Sequence, residues 1–169
     1  AVVVAIADKG GAIFNNNGLN DAEIQKIIKN KLLLLKCKQC RHISNKEFWK
    51  ISVDFLIPAS VTDVINETNK NNIRAKVIVE AGNIPMRENI EKELFQKGIF
   101  ILPDLVANAG GVISSYAEYR GYNPKKMFKL IERKIRKSTR LVLEQSIKFK
   151  KNSRDVALEL ARKKVEKIN

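Results

Sequence analysis

The sequence predicts an α/β fold, a doubly wound parallel sheet with helices following it at the C-terminal end. Three observations lead there. Apolar runs of strand length recur at residues 2–7, 53–57, 75–79 and 99–102. Segments with helical apolar spacing lie among them, at 20–28 and 88–97. From residue 123 onward the pattern is helical throughout. Strand-length runs alternating with helix-length segments are the mark of crossover units and a parallel sheet.

Each element has its own signal. Val2-Val3-Val4-Ala5-Ile6-Ala7, ending in Asp8-Lys9-Gly10-Gly11, reads as a buried parallel strand closed by a turn. Asn20 can cap a helix whose Glu23 completes a capping box, with Ile24, Ile27 and Ile28 as its apolar face. The leucines at 32–35 either extend that helix or begin a short strand. Ser44 and Glu47 form a second capping box. Val53 to Ile57 reads as a strand stopped by Pro58, and Ala75 to Glu80 as the next. The helix at 88–97 turns Ile90, Leu94 and Phe95 inward and ends at Gly98.

After the strand at 99–102 the chain reads Pro103-Asp104-Leu105-Val106-Ala107-Asn108-Ala109-Gly110-Gly111-Val112, then Ile113-Ser114-Ser115-Tyr116-Ala117-Glu118. Here a strand gives way to a helix, with Asn108, Gly110, Gly111 and Ser115 at the seam. In open parallel sheets that seam, at the carboxyl ends of the strands, is where ligands bind. Asn108 offers an acceptor and a donor matched to a primary carboxamide. Asn123 and Pro124 open a helix with Phe128, Ile131, Ile135, Val142 and Gln145 on one face. Ser153 begins the last helix, with Ala157, Leu160, Ala161, Val165 and Ile168 inward.

Composition bounds the function. The apolar fraction of 44% and charged fraction of 30% suit one globular protein with a full core. The four leucines at 32–35 are too short a run to span a bilayer. No export signal opens the chain, and two cysteines make no disulfide framework, so a reducing cytoplasm is expected. Cys37-Lys38-Gln39-Cys40-Arg41-His42 lacks a second ligand cluster for zinc and reads as incidental thiols in a loop, so no metal is expected. The net charge of +14 raises polyanionic partners as a question. Lys and Arg are nevertheless spread along the chain with acids between them, as on a solvated surface.

The stretch from Pro103 to Glu118 resembles the glutamate dehydrogenase family (the Glu/Leu/Phe/Val dehydrogenases), whose pattern reads P-D-x-x-A-N-A-G-G-V-x-x-S-Y-x-E. The match is long and mostly ungapped. Ala5 to Leu19 looks like the family's V-S-D-x-x-G-G-I-Y-N-x-x-G-L, Asp54 to Ala59 like D-V-L-I-P-A-A, and Glu80 to Met86 like E-G-A-N-G-P-T. The terminal helix resembles R-x-A-A-Y…A-x-x-R-V, with Arg154 as its first residue. Nearly all of the chain is covered apart from about residues 31–42.

The resemblance implies NAD(P)-dependent deamination of L-glutamate to 2-oxoglutarate. It places Asn108 at the nicotinamide end of the site and Asn83 against the nicotinamide ribose. Ser115 would bind the substrate carboxylate and Val112 would line the side-chain pocket. Asp8 stands where an acid can bind the adenosine ribose, or it caps a turn; Lys9 beside it leaves NAD and NADP both open. The stretch departs from the pattern where Ala81-Gly82 inverts Gly-Ala and Ile84 and Met86 replace Gly and Thr; the Gly lost at Ile84 weakens cofactor binding, and Asp63, in place of an Asn, removes a donor and adds charge.

No G-x-G-x-x-G loop occurs in the chain. In the family, the catalytic Lys and Asp come from an N-terminal substrate domain. The expectation is therefore an incomplete Rossmann-like sheet: residues 1–122 as a partial dinucleotide-binding domain and 123–169 as helices packed on it. No catalytic residue is assigned, and a truncated or split enzyme, inactive alone, is expected. It would pair with a missing N-terminal half or with copies of itself. The alternative is a non-catalytic basic module binding nucleic acid through Lys125, Lys126, Lys129, Arg133 and Arg136, though no nucleic-acid motif is present.

Overall fold

The computed structural model describes residues 1–30 and 40–166, which divide into two units. One comprises residues 1–52 and 71–74, the other residues 53–70 and 75–169.

The first unit is built on a three-stranded sheet in the order β1 (Ala5–Asp8), β2 (Gly11–Phe14), β3 (Arg41–Ile43). All its pairings are antiparallel, which corrects the reading of residues 2–7 as a buried parallel strand. The reason is local. Asp8 pairs with Gly11, so only Lys9 and Gly10 connect the strands, whereas a parallel crossover needs a dozen residues or more. Gly11, at φ +131°, takes a conformation side chains disfavour. Residues 41–43, expected in a loop, form the third strand, with His42 exposed opposite Ile13.

Helix α1 (Asp21–Asn30) follows, with the reciprocal Asn20–Glu23 cap in place at 2.9 Å each way. The core of this unit is Ile13, Leu19 and Cys40, flanked by Ile6, Ile24 and Ile27. Cys40 is buried and disulfide-bonded, so the reading of incidental thiols fails for it. Cys37 and the leucines at 32–35 lie outside the described residues. Helix α2 (Asn45–Phe48) carries the expected Ser44–Glu47 capping box.

The second unit is mixed α/β. Its sheet has the order β4 (Ser52–Leu56), β5 (Arg74–Val79), β6 (Phe100–Leu102), and β5 and β6 run parallel, with Ile78 opposite Ile101. The parallel sheet with helices is as the sequence predicts. Between β5 and β6 lies α3 (Glu88–Gln96), with Ile90 and Leu94 buried and Gly98 closing it at φ +86°. Two helices follow β6: α4 (Asp104–Ala107) and α5 (Gly110–Tyr119).

Helix α6 (Pro124–Phe149) is capped by Asn123, whose side chain accepts from the Lys126 N–H. Its Phe128 is exposed rather than packed. Helix α7 (Ser153–Val165) begins at Ser153, as expected, and is capped by Asn152. Val156 and Ala157 form its buried face; Ala161 and Val165 are exposed, and Ile168 lies outside the described residues. The core joins Leu102, Val106, Val142, Val156 and Ala157, so α4, α6 and α7 share one apolar seam with the end of β6. Among the described residues no helix is long and apolar enough to cross a membrane.

Candidate functional site

Strands β5 and β6 end on the same edge of their sheet, because they are parallel and in register at Val79 and Leu102. Beyond Val79 runs the loop of residues 80–86; beyond Leu102 runs α4 and then α5. The Asn108 carboxamide, at the end of α4, donates to the Gly82 carbonyl at 2.9 Å. That bond brings Asn108 to the loop carrying Asn83.

Several bonds hold this loop. The Gly82 N–H donates to the Pro58 carbonyl at 2.8 Å, and the Thr62 hydroxyl donates to the Asn83 carbonyl at 3.1 Å. A Cβ at Gly82 would come within 3.2 Å of the Ser60 carbonyl oxygen, so the approach to residues 58–60 suits glycine. The Ile84 N–H donates to the Asp104 carboxylate at 3.0 Å, while its carbonyl accepts from the Asp63 N–H at 3.0 Å. Ile84 itself is left-handed, at φ +46°. The Asn83 side chain is exposed, and its carboxamide makes no hydrogen bond with the described residues.

Helix α5 presents Val112 and Ser115. Val112 is 77% exposed, so the residues of this unit do not enclose it. Ser115 is exposed, and its hydroxyl donates to the Gly111 carbonyl one turn back at 3.2 Å. Tyr116 is also exposed, and Ala117 is the buried residue of this helix. Asp8 lies in the first unit at the end of β1. Its carboxylate accepts the Gly10 N–H at 2.6 Å, the turn-capping arrangement.

Under the loop lies a group of charges that sequence reasoning missed. Arg154, on α7, donates to three carboxylates: from Nε to Glu91 at 2.5 Å, from one terminal nitrogen to Asp104 at 3.0 Å, and from the other to Glu80 at 2.7 Å. The three acids are buried, and Arg154 nearly so. Glu80 also accepts the Asp104 N–H at 2.8 Å. Beside Arg154, the Ser153 hydroxyl donates to the Ile101 carbonyl of β6.

Three carboxylates face one guanidinium, and Glu80 Oε1 and Glu91 Oε1 are buried without hydrogen-bond partners among the described residues. Burial pushes the Glu80 carboxyl up to about 7, with the charges of Glu91 and Asp104 adding to it against the Asp104 N–H and Arg154. Burial raises Glu91 as well, against its bonds to Arg154. For Arg154 burial disfavours the charge, but the hydrogen bond and charge of Glu91, with the charges of Glu80 and Asp104, raise its pKa overall. The signal available in the sequence was that Glu80, Asp104 and Arg154 each stand inside a stretch matching the family pattern. Glu91, an acid in an amphipathic helix, carried none.

A family model for glutamate/leucine/phenylalanine/valine dehydrogenases matches residues 1–169. The glutamate dehydrogenase of Aeropyrum pernix is 33% identical over 98% of this chain, which spans 42% of that protein's length. The NADP(+)-dependent glutamate dehydrogenase of Pyrobaculum calidifontis is 36% identical over 70% of this chain and 30% of its own. In fold, the hetero-hexameric glutamate dehydrogenase of Thermus thermophilus superposes with a TM-score of 0.81 at 21% identity, covering 99% of this chain and 41% of that one. The L-tryptophan dehydrogenase of Nostoc punctiforme gives a TM-score of 0.68 at 27% identity over 74% of this chain and 38% of that one. The chain belongs to the glutamate/leucine/phenylalanine/valine dehydrogenase family.

Proposed function

We propose that these residues are the cofactor-domain portion of a glutamate dehydrogenase-like oxidoreductase. It would take L-glutamate and water to 2-oxoglutarate and ammonia with NAD or NADP as acceptor. The observation carrying this reading is the Asn108–Gly82 hydrogen bond at the carboxyl edge of β5 and β6. It joins the loop bearing Asn83 to the segment that leads into Val112 and Ser115.

The residues present fit the nicotinamide end of such a cofactor. The exposed Asn83 carboxamide is unengaged by the described residues, and Asn108 retains an acceptor oxygen for a carboxamide N–H. A bound NAD(P)⁺ supplies the hydride acceptor. Asn83 and Asn108 would orient its nicotinamide end. On the substrate side, Ser115 would turn its hydroxyl from the Gly111 carbonyl toward a carboxylate. Val112, exposed here, would form one wall of a side-chain pocket completed by residues outside this chain. The residues that move protons at the α-carbon would likewise come from elsewhere, because none of the motifs matched here supplies them.

The test is an assay of glutamate-dependent NAD(P)⁺ reduction. This chain reconstituted with the N-terminal half of a family member should turn over, and the 169-residue chain alone should not. Turnover by the 169 residues alone would overturn the division of labour, and none by the reconstituted enzyme with either cofactor would overturn the activity.

A further inference from the structure

We propose that Arg154 is a positioning residue for the cofactor loop: by holding Asp104 it fixes the backbone at Ile84, and with it the presentation of Asn83. The inference rests on the proposed nicotinamide site.

The chain of contacts is direct. Arg154 donates to Asp104 Oδ1 at 3.0 Å, while Asp104 Oδ2 accepts the Ile84 N–H at 3.0 Å. Asp104 Oδ1 also takes the Leu105 N–H at 2.8 Å, and the Asp104 N–H is tied to Glu80. Oδ1 thus receives two hydrogen bonds, and the Asp104 backbone is tied separately to Glu80, before Oδ2 meets the loop. Ile84 needs such a hold, because a β-branched residue at φ +46° is strained and relaxes unless its surroundings prevent it. Asn83, its neighbour, follows wherever that peptide turns.

The guanidinium fork suits the task. Three carboxylates on α3, on α4 and at the end of β5 converge on three different nitrogens of one side chain. A lysine ammonium has donors enough but no planar fork, so it does not set all three directions together. No hydrogen bond joins Arg154 to Asn83 or Asn108, so its effect on the site passes through Asp104, which holds Ile84, and through Glu80, where the loop begins.

Arg154→Lys in the reconstituted enzyme tests this, read by amide hydrogen exchange and by NAD(P)H titration. Losing a charge-assisted hold should raise exchange at Ile84 about tenfold or more, while amides of the β5–β6 ladder such as Ile101 stay within about twofold. Affinity for NAD(P)H should fall by about tenfold in parallel. Unchanged protection at Ile84, or an equal loss across the ladder, overturns the positioning role. Raised exchange at Ile84 with unchanged cofactor affinity leaves the Arg154 hold standing and overturns the placement of nicotinamide at this loop. Should Arg154→Lys fail to fold, Asp104→Asn, which removes the Ile84 acceptor charge while leaving Glu80–Arg154–Glu91 in place, must give the same local pattern; if it does not, the proposal falls.

Discussion

The Glu80 carboxylate accepts the Asp104 N–H at 2.8 Å, tying the residue after β5 to the first residue of α4 after β6. The Glu80 N–H, in turn, donates to the Leu102 carbonyl at 3.0 Å, extending the ladder by one rung. Thus the edge where the loop and helix diverge is closed by a buried acid rather than by apolar packing.

Stability should fall as pH rises through about 7. Glu80 is raised from 4.5 to about 7 in the folded chain, chiefly by burial, and Glu91 shifts in the same direction. The folded state therefore holds more protons than the unfolded one in that window, so the stabilisation is full below about 4.5 and is lost as Glu80 ionises. For Glu80 the shift corresponds to roughly 3 kcal/mol. Urea unfolding at about pH 5.5 and about pH 8.5 measures the difference. Glu47 and Glu159 are shifted down, by Ser44 and Lys151 hydrogen bonds respectively, and act with the opposite sign. Glu80→Gln isolates the effect: its slope across this window should be flatter than wild type, and an identical slope would refute the assignment.

Ile84→Gly should stabilise the protein modestly. Left-handed backbone costs a side-chain-bearing residue roughly 1–2 kcal/mol, against about 0.5–1 kcal/mol for the extra freedom of an unfolded glycine. Ile84 is 41% exposed, so little packing is lost. A net gain of about 0.5 kcal/mol is expected from urea midpoints, with Ile84→Val no better than wild type. A loss on Ile84→Gly would mean that its side chain contributes more than the strain costs.

Val112→Ala in the reconstituted enzyme should alter side-chain preference, admitting bulkier amino acids at the expense of glutamate. The expected change is in kcat/KM ratios among amino acids, by about tenfold, with the cofactor KM held. Unaltered ratios would remove Val112 from the pocket wall.

Much of this was legible in the sequence because the signals were local. The caps at Asn20, Ser44 and Asn123 work through residues three positions away, and the structure has all three. The run at 2–7 misled because apolar content does not state direction; the two-residue Lys9-Gly10 link did state it, and it specifies a hairpin. Phe128 shows the limit of periodicity, since helical spacing finds a face without saying how far a neighbour covers it. The Arg154 cluster was invisible for another reason. Its members are separated by 50 to 74 positions from Arg154, and only the fold brings Glu80, Glu91 and Asp104 to one side chain.

Ser115 gives the most direct test of the amino-acid dehydrogenase site. In the reconstituted enzyme, Ser115→Ala should raise the KM for the amino acid by about tenfold or more, the loss of one hydrogen bond to a charged group. The Kd for NAD(P)H should stay within about twofold, because the hydroxyl serves the substrate carboxylate and not the nicotinamide. A cofactor Kd that weakens as much as the amino-acid KM would put Ser115 in the wrong half of the site, and would contradict the placement of substrate at α5 and nicotinamide at Asn83 and Asn108.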